Sequence, residues 1–218
     1  MRVGIAGVAK KATATDPLIV ANEVVCNALA RALLLPCPPG ATFEKESDKY
    51  FFSLDFGLAG QDLPPADPES VVSVHPRLSW GIIVFDSLIM NFDRHEKNLA
   101  HDAATNKVQI FDHSHAFLHA GVGDISATLQ NAENQICIGG HCLAPEIDTE
   151  DGLQIWQDRV TRIPDFFIEG VMDAALSVGL PSDKKQECVN FMKRRRDRIG
   201  EIIRANMALF PKLPQVTQ

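Results

Sequence analysis

Behind Asp16-Pro17 the chain sets Leu18, Ala21, Val25, Ala28, Leu29 and Ala32 at helical spacing. That spacing predicts a helix over 17–34, with Asp16 as N-cap and Pro17 at its first position. Pro36, Pro38, Pro39 and Gly40 end it. Residues 41–56 read as a short hairpin finishing in an aromatic strand. Residues 57–70 are rich in Gly, Pro, Asp and Ser and read as a linker, so a boundary near 58 divides the chain into lobes 1–58 and 59–218. From 77 to 91 the pattern is apolar on every side, which predicts a buried helix. Two short strands follow at 98–102 and 107–112, around a turn at 103–106. The stretch 121–152 reads as loop with one short apolar piece at 136–138, and 153–160, 165–178 and 182–208 read as helices. The expected architecture is α+β: a small mixed first lobe, then a mostly helical second lobe with a central hairpin.

Composition narrows the class. The 218 residues are 45% hydrophobic and 22% charged, ordinary for a globular protein and unlike collagen-like, disordered or disulfide-scaffold chains. The net charge of −7 argues against nucleic acid or an anionic membrane as partner, because phosphate binding needs a basic face. The longest apolar stretch, 78–90, is interrupted by Asp86, and no span of about 18 apolar residues exists. The uncharged run between Arg2 and Lys10 is too short for a secretory leader. Five scattered cysteines fit reduced thiols, and the expected compartment is cytoplasmic.

Chemistry concentrates in 91–116. Asp93 closes the loop after the buried helix, Asn98 opens the first strand of the hairpin, and Asp112 ends the second. The two ends of an antiparallel hairpin lie side by side, so Asn98 and Asp112 can meet. An amide and a carboxylate are oxygen ligands that Mg²⁺ accepts, and an Asp five residues before the amide can take the proton of an incoming hydroxyl. Asp-x-x-x-x-Asn followed by a strand-borne Asp is the physical minimum for Mg-dependent phosphoryl transfer.

D-R-H-x-x-N at 93–98 followed by I-F-D-H at 110–113 resembles the catalytic and metal-binding loops of the protein-kinase-like superfamily, most closely the HipA-like serine/threonine kinases. Phe85-Asp86-Ser87-Leu88-Ile89-Met90-Asn91 is similar to that family's buried helix. Asn22-Glu23 with Leu35-Pro36-Cys37-Pro38 is similar to its N-E helix and the exit from it. The resemblance implies Asp93 as catalytic base, Asn98 and Asp112 as Mg²⁺ ligands, and His95 against the transferring phosphate. It implies Glu23 as the acid orienting an ATP-binding lysine, either Lys10 or Lys11. The implied function is transfer of the ATP γ-phosphoryl group to a Ser or Thr hydroxyl of a protein substrate. Two alternatives stand beside it: a regulatory binding module without phosphotransfer, and a lipid or small-molecule kinase, since phosphoinositide kinases share D-R-H-x-x-N. The pattern departs from the family in two places. Nine residues precede Lys10 and no G-x-G-x-x-G occurs, which leaves three readings of the implied protein-kinase-like fold: a reduced first lobe that holds the nucleotide, a partner chain completing that lobe, or a chain that no longer binds ATP productively; and Ser114 stands where the metal loop often has Gly.

Simpler roles compete for other residues. Arg94 reads as a structural guanidinium pairing Asp86 or a backbone carbonyl. His113-x-His115 is a possible zinc pair without a compact Cys/His set around it. Cys137 and Cys142 with His141 read as free thiols in a loop, Lys193-Arg194-Arg195-Arg196 as a solvated basic helix face, and Trp80 and Trp156 as core or interface.

Overall fold

The computed structural model describes residues 4–57, 64–119, 123–136 and 138–214. A first strand β1 (Gly7–Lys11) leads into helix α1 (Ile19–Ala32) and then a hairpin of β2 (Gly40–Lys45) and β3 (Asp48–Leu54). The three strands form one antiparallel sheet in the order β1-β3-β2. The hairpin is where the aromatic pattern predicts it. β1 is an addition, because GVAKK has no alternation of its own and is ordered by pairing along β3. Register sets Lys10 opposite the buried Phe51 and Lys11 opposite Tyr50. Neighbours in a strand face opposite sides, so the two lysines part company.

Helix α1 starts at Ile19, two residues later than the Asp-Pro pair predicts. Leu18 occupies the N-cap without a side-chain bond, Asp16 offers only its carbonyl to Ile19 N (3.4 Å), and its carboxylate turns to His115 instead. The predicted boundary near 58 lies outside the described residues, and the linker range already contains the start of α2 (Pro68–Val74).

Helix α3 (Pro76–Leu88) is buried from Ser79 to Leu88, as a stretch apolar on all sides requires. It feeds the hairpin of β4 (Leu99–Asp102) and β5 (Lys107–Ile110), paired Leu99 to Ile110 and Asp102 to Lys107. The stretch read as loop holds a further helix, α4 (Ile125–Ala132), whose N-cap Asp124 accepts from Ser126 N at 2.9 Å. Helices α5 (Leu153–Thr161), α6 (Asp165–Leu176) and α7 (Lys185–Arg204) complete the chain. Trp80 and Trp156 are both buried. One apolar core runs from Val25 and Leu29 of α1 and Phe51 of β3, through Trp80 and Leu88 of α3, to Phe191 and Ile199 of α7. Helix α1 packs directly on α6.

The basic run on α7 is not a solvated face. Arg195 is fully buried and Arg196 nearly so. Arg195 donates to the carbonyls of Ser87, Leu88 (3.2 Å), Ala132 (2.6 Å), Glu133 (3.0 Å) and Gln135 (2.9 Å). Carbonyls at helix C-termini lack intrahelical partners. One guanidinium therefore satisfies the ends of both α3 and α4. Lys193 and Arg194 do face solvent-side carboxylates, on Glu169 and Glu133.

Candidate active site

The loop between α3 and β4 is organised around Arg94, whose side chain is fully buried. Its Nε and Nη2 meet the two carboxylate oxygens of Asp86 at 2.8 and 3.1 Å. Its Nη1 donates to Asn98 O (2.6 Å) and Phe111 O (3.0 Å), so one guanidinium ties α3 to both ends of the β4–β5 hairpin. Arg94 Nη2 also lies 2.9 Å from His113 Nε2. Arginine only donates, so that nitrogen accepts and the imidazole is neutral. Burial and then the adjacent guanidinium push the His113 pKa down to about 3. Asp86 takes further bonds from Asn91 Nδ2 (2.9 Å) and His141 Nε2 (3.1 Å). Burial opposes its charge, but Arg94 and His141 outweigh burial and hold its carboxyl well below the usual range.

With this frame set, Asp93 and Asn98 face one another: Asn98 Nδ2 donates to Asp93 O at 2.9 Å and approaches Oδ2 at 3.4 Å. His95 Nε2 stands 3.8 Å from Asp93 Oδ1, while its Nδ1 accepts from Lys97 N. His115 Nδ1 stands 3.8 Å from Oδ2, so imidazoles flank both oxygens of the carboxylate. Phe111 N donates to Asn98 O at 3.3 Å, which brings Asn98 to the hairpin end where Asp112 begins. Asp112 has a left-handed backbone (φ 56°), a conformation Asp tolerates better than most residues.

Lys10 closes the other side. Its Nζ lies 2.6 Å from Glu23 Oε1, 2.7 Å from Asp112 Oδ1 and 2.8 Å from Ser114 Oγ. Burial lowers the tendency of Lys10 to hold a proton, but Glu23 and Asp112 reverse that and raise its pKa. For Asp112, burial pushes the other way, and Lys10 with Ser114 brings the carboxyl below its usual range. Lys11 bonds Asp48 at 2.8 Å on the opposite, exposed face of the sheet, so of the two lysines it is Lys10 that reaches Glu23 and Asp112. Glu23 is buried and also accepts from His113 N (3.1 Å) and Ser114 Oγ (2.9 Å). Ser114, a departure from the family pattern, thus supplies a hydroxyl that accepts from the lysine and donates to its acid. Asn22 donates to Ser114 O and His119 O, fixing the segment after Asp112 on α1. Its signal in sequence was the residue pair Asn22-Glu23, of which only the acid was singled out. His113 and His115 are not a zinc pair: one is buried against Arg94, the other faces Asp16 and Asp93. Cys137 lies outside the described residues.

Lys10, Glu23 and Asp112 stand at one side of a cavity of about 360 Å³, whose apolar walls include Val8, Phe51, Leu54, Phe56 and Ile110. That is the size and lining of a small-molecule site with a few convergent polar groups. The ionised Asp112 carboxylate and the amide oxygen of Asn98 are hard donors of the kind a Mg²⁺ ion takes. Among the described residues no three His, Cys, Asp or Glu side chains converge on a metal position. A cation here would draw its other ligands from water or phosphate.

No family model matches the sequence, and no curated protein matches it. Among solved structures, the chain is similar to the Helicobacter pylori proinflammatory kinase CtkA, with TM-score 0.65 and 15% identity over 96% of this chain and 90% of that one. It also aligns with HipA of Shewanella oneidensis, from a complex with HipB and operator DNA, at TM-score 0.40 and 14% identity. That alignment spans 97% of this chain and 53% of HipA. The chain has the kinase-like fold of CtkA. No helix among the described residues is long and apolar enough to cross a membrane.

Proposed function

We propose that the chain is an ATP-dependent phosphotransferase that moves the γ-phosphoryl group to a Ser or Thr hydroxyl of a protein. The observation that carries this reading is the Lys10 ammonium bridging Glu23 and Asp112 at the wall of the cavity, with Asn98 on the neighbouring strand at the same open end of the hairpin and bonded to Asp93. The likeness to CtkA supports it at the level of fold.

In this reading the apolar cavity takes the nucleotide base and sugar, and Lys10 meets the phosphates. Glu23 and Ser114 hold the lysine in place, so its position is set before nucleotide binds. Asp93 accepts a hydrogen bond from the incoming hydroxyl and takes its proton as the oxygen bonds to the γ-phosphorus, while the bond from that phosphorus to the β,γ-bridging oxygen breaks and ADP leaves with the bonding pair. Asn98 fixes the Asp93 loop through the backbone carbonyl. Asp112 and Asn98 would hold Mg²⁺, which when bound neutralises the phosphate charge. Positioning and electrostatics supply nearly all the acceleration in such chemistry.

The test is label transfer from γ-labelled ATP by the purified chain with Mg²⁺ and a generic protein substrate, beside Asp93→Asn and Asp112→Asn. Label on protein that falls by at least about 10³ in both variants supports the reading. A folded wild type that transfers none, and whose melting temperature millimolar ATP-Mg²⁺ leaves unchanged, overturns it, since binding to the native state must stabilise it.

A further inference from the structure

Away from the site described above, a groove of about 360 Å³ runs between the C-terminal end of α1 and the junction of α5 with α6. Leu33 and Leu34 form one side, and Ile163, Pro164 and Phe167 the other. Arg159 and Arg162 line it too, both exposed.

Three observations set this groove apart. First, Leu34 is 83% exposed and has a left-handed backbone (φ 60°) just past the helix end, where glycine is the usual residue. That conformation is strained for an ordinary L-residue, and the Leu34 side chain gains little burial from the described residues in return. Second, apolar exposure continues onto the first turn of α6, where Phe166 is 74% exposed beside Phe167. Third, neither the Arg159 nor the Arg162 guanidinium enters an ion pair among the described residues, although the chain has 28 Asp and Glu against 21 Lys and Arg. Arg159 Cζ lies over the Trp156 ring at 4.5 Å, a cation–π contact that leaves its hydrogen-bonding capacity unused by any carboxylate among the described residues.

We propose that this groove docks an acidic peptide segment of a partner protein, one large apolar residue entering between Leu34 and Phe167 and neighbouring carboxylates meeting Arg159 and Arg162. The arginine fork matches a carboxylate with two parallel hydrogen bonds, and an apolar floor with a charged rim is how proteins seat short amphipathic segments. Two arginines on a chain of net charge −7 suit a peptide with a few carboxylates, whereas the long-range field repels a polyanion or an anionic bilayer. The inference stands on this groove alone and is independent of phosphotransfer.

The test selects a randomised 12-residue peptide display library on the full chain, then measures the strongest sequence as a labelled peptide by fluorescence anisotropy. Enriched sequences should carry Asp or Glu around a Leu, Ile, Phe or Met. The double substitution Arg159→Glu/Arg162→Glu should weaken binding at least tenfold, and the affinity should fall with salt. Leu34→Gly should weaken it severalfold while its melting temperature equals or exceeds that of the wild type, because the left-handed strain is relieved. Basic or purely apolar selected sequences, no enrichment beyond that on the double variant, or binding that survives all these substitutions would each overturn the proposal. So would sedimentation showing a dimer of this chain that the same substitutions dissolve, since the occupant would then be a second copy.

Discussion

Lys10 is held by two carboxylates and a hydroxyl, while Lys11, one residue on, meets a single exposed Asp48. Their substitutions should therefore separate cleanly. Lys10→Met is expected to reduce phosphotransfer about a hundredfold, the loss of roughly two charge-assisted hydrogen bonds, whereas Lys11→Met should stay within about twofold; steady-state kinetics with labelled ATP checks both. At Asp86 the outcome is stability. Asp86→Asn leaves the buried Arg94 without its counter-charge and should cost about 3–5 kcal/mol in denaturant unfolding. The folded pKa of Asp86 lies below the unfolded value near 3.8, so its contribution is present above that pH and is lost as pH falls below it. The acid limb of the wild-type stability curve should be steeper than that of the variant. The adjacency of Asp93 and Asn98, and of Asn98 with the strand end that leads to Asp112, was legible in the sequence because one loop and one hairpin bring these positions together. Lys10 was not separable from Lys11, because the choice depends on which face of an unforeseen strand points inward.

Among the elements, α3 is the one on which the site is mounted, and its packing is tight. A Cβ on Gly81 would fall 2.3 Å from Cε2 of Trp156, which is itself pinned by a bond from its Nε1 to Arg77 O. Gly81→Ala should therefore push α5 from α3 and cost about 1–3 kcal/mol, read as a melting temperature lower by several degrees. Arrangement at this scale was readable wherever an element carries its own pattern, as α3 and the two hairpins do. It failed where the reason is tertiary. β1 exists because β3 offers a free edge, and Arg195 is buried because α3 and α4 end with carbonyls that need donors. Nothing in a run of four basic residues distinguishes that role from a solvated face. Helix α4 is a different failure, since Asp124 ahead of Ser126 was a visible capping signal.

For the whole molecule, the shared core matters more than any boundary drawn on the sequence. Apolar residues from the first sheet, α1, α3 and α7 belong to one cluster. Scanning calorimetry should accordingly give one transition, with calorimetric and van't Hoff enthalpies equal, rather than two separable steps. The Arg94 guanidinium adds a thermodynamic consequence for ligand binding. It bonds the carbonyls at both hairpin ends and the carboxylate beneath them, so the hairpin ends carrying Asn98 and Asp112 are fixed as the chain folds. Ordering entropy is spent in folding and not again on association. Nucleotide binding to this cavity should then show a small heat-capacity change in titration calorimetry, limited to the apolar surface the ligand itself covers, without the larger signature of a segment that folds on binding.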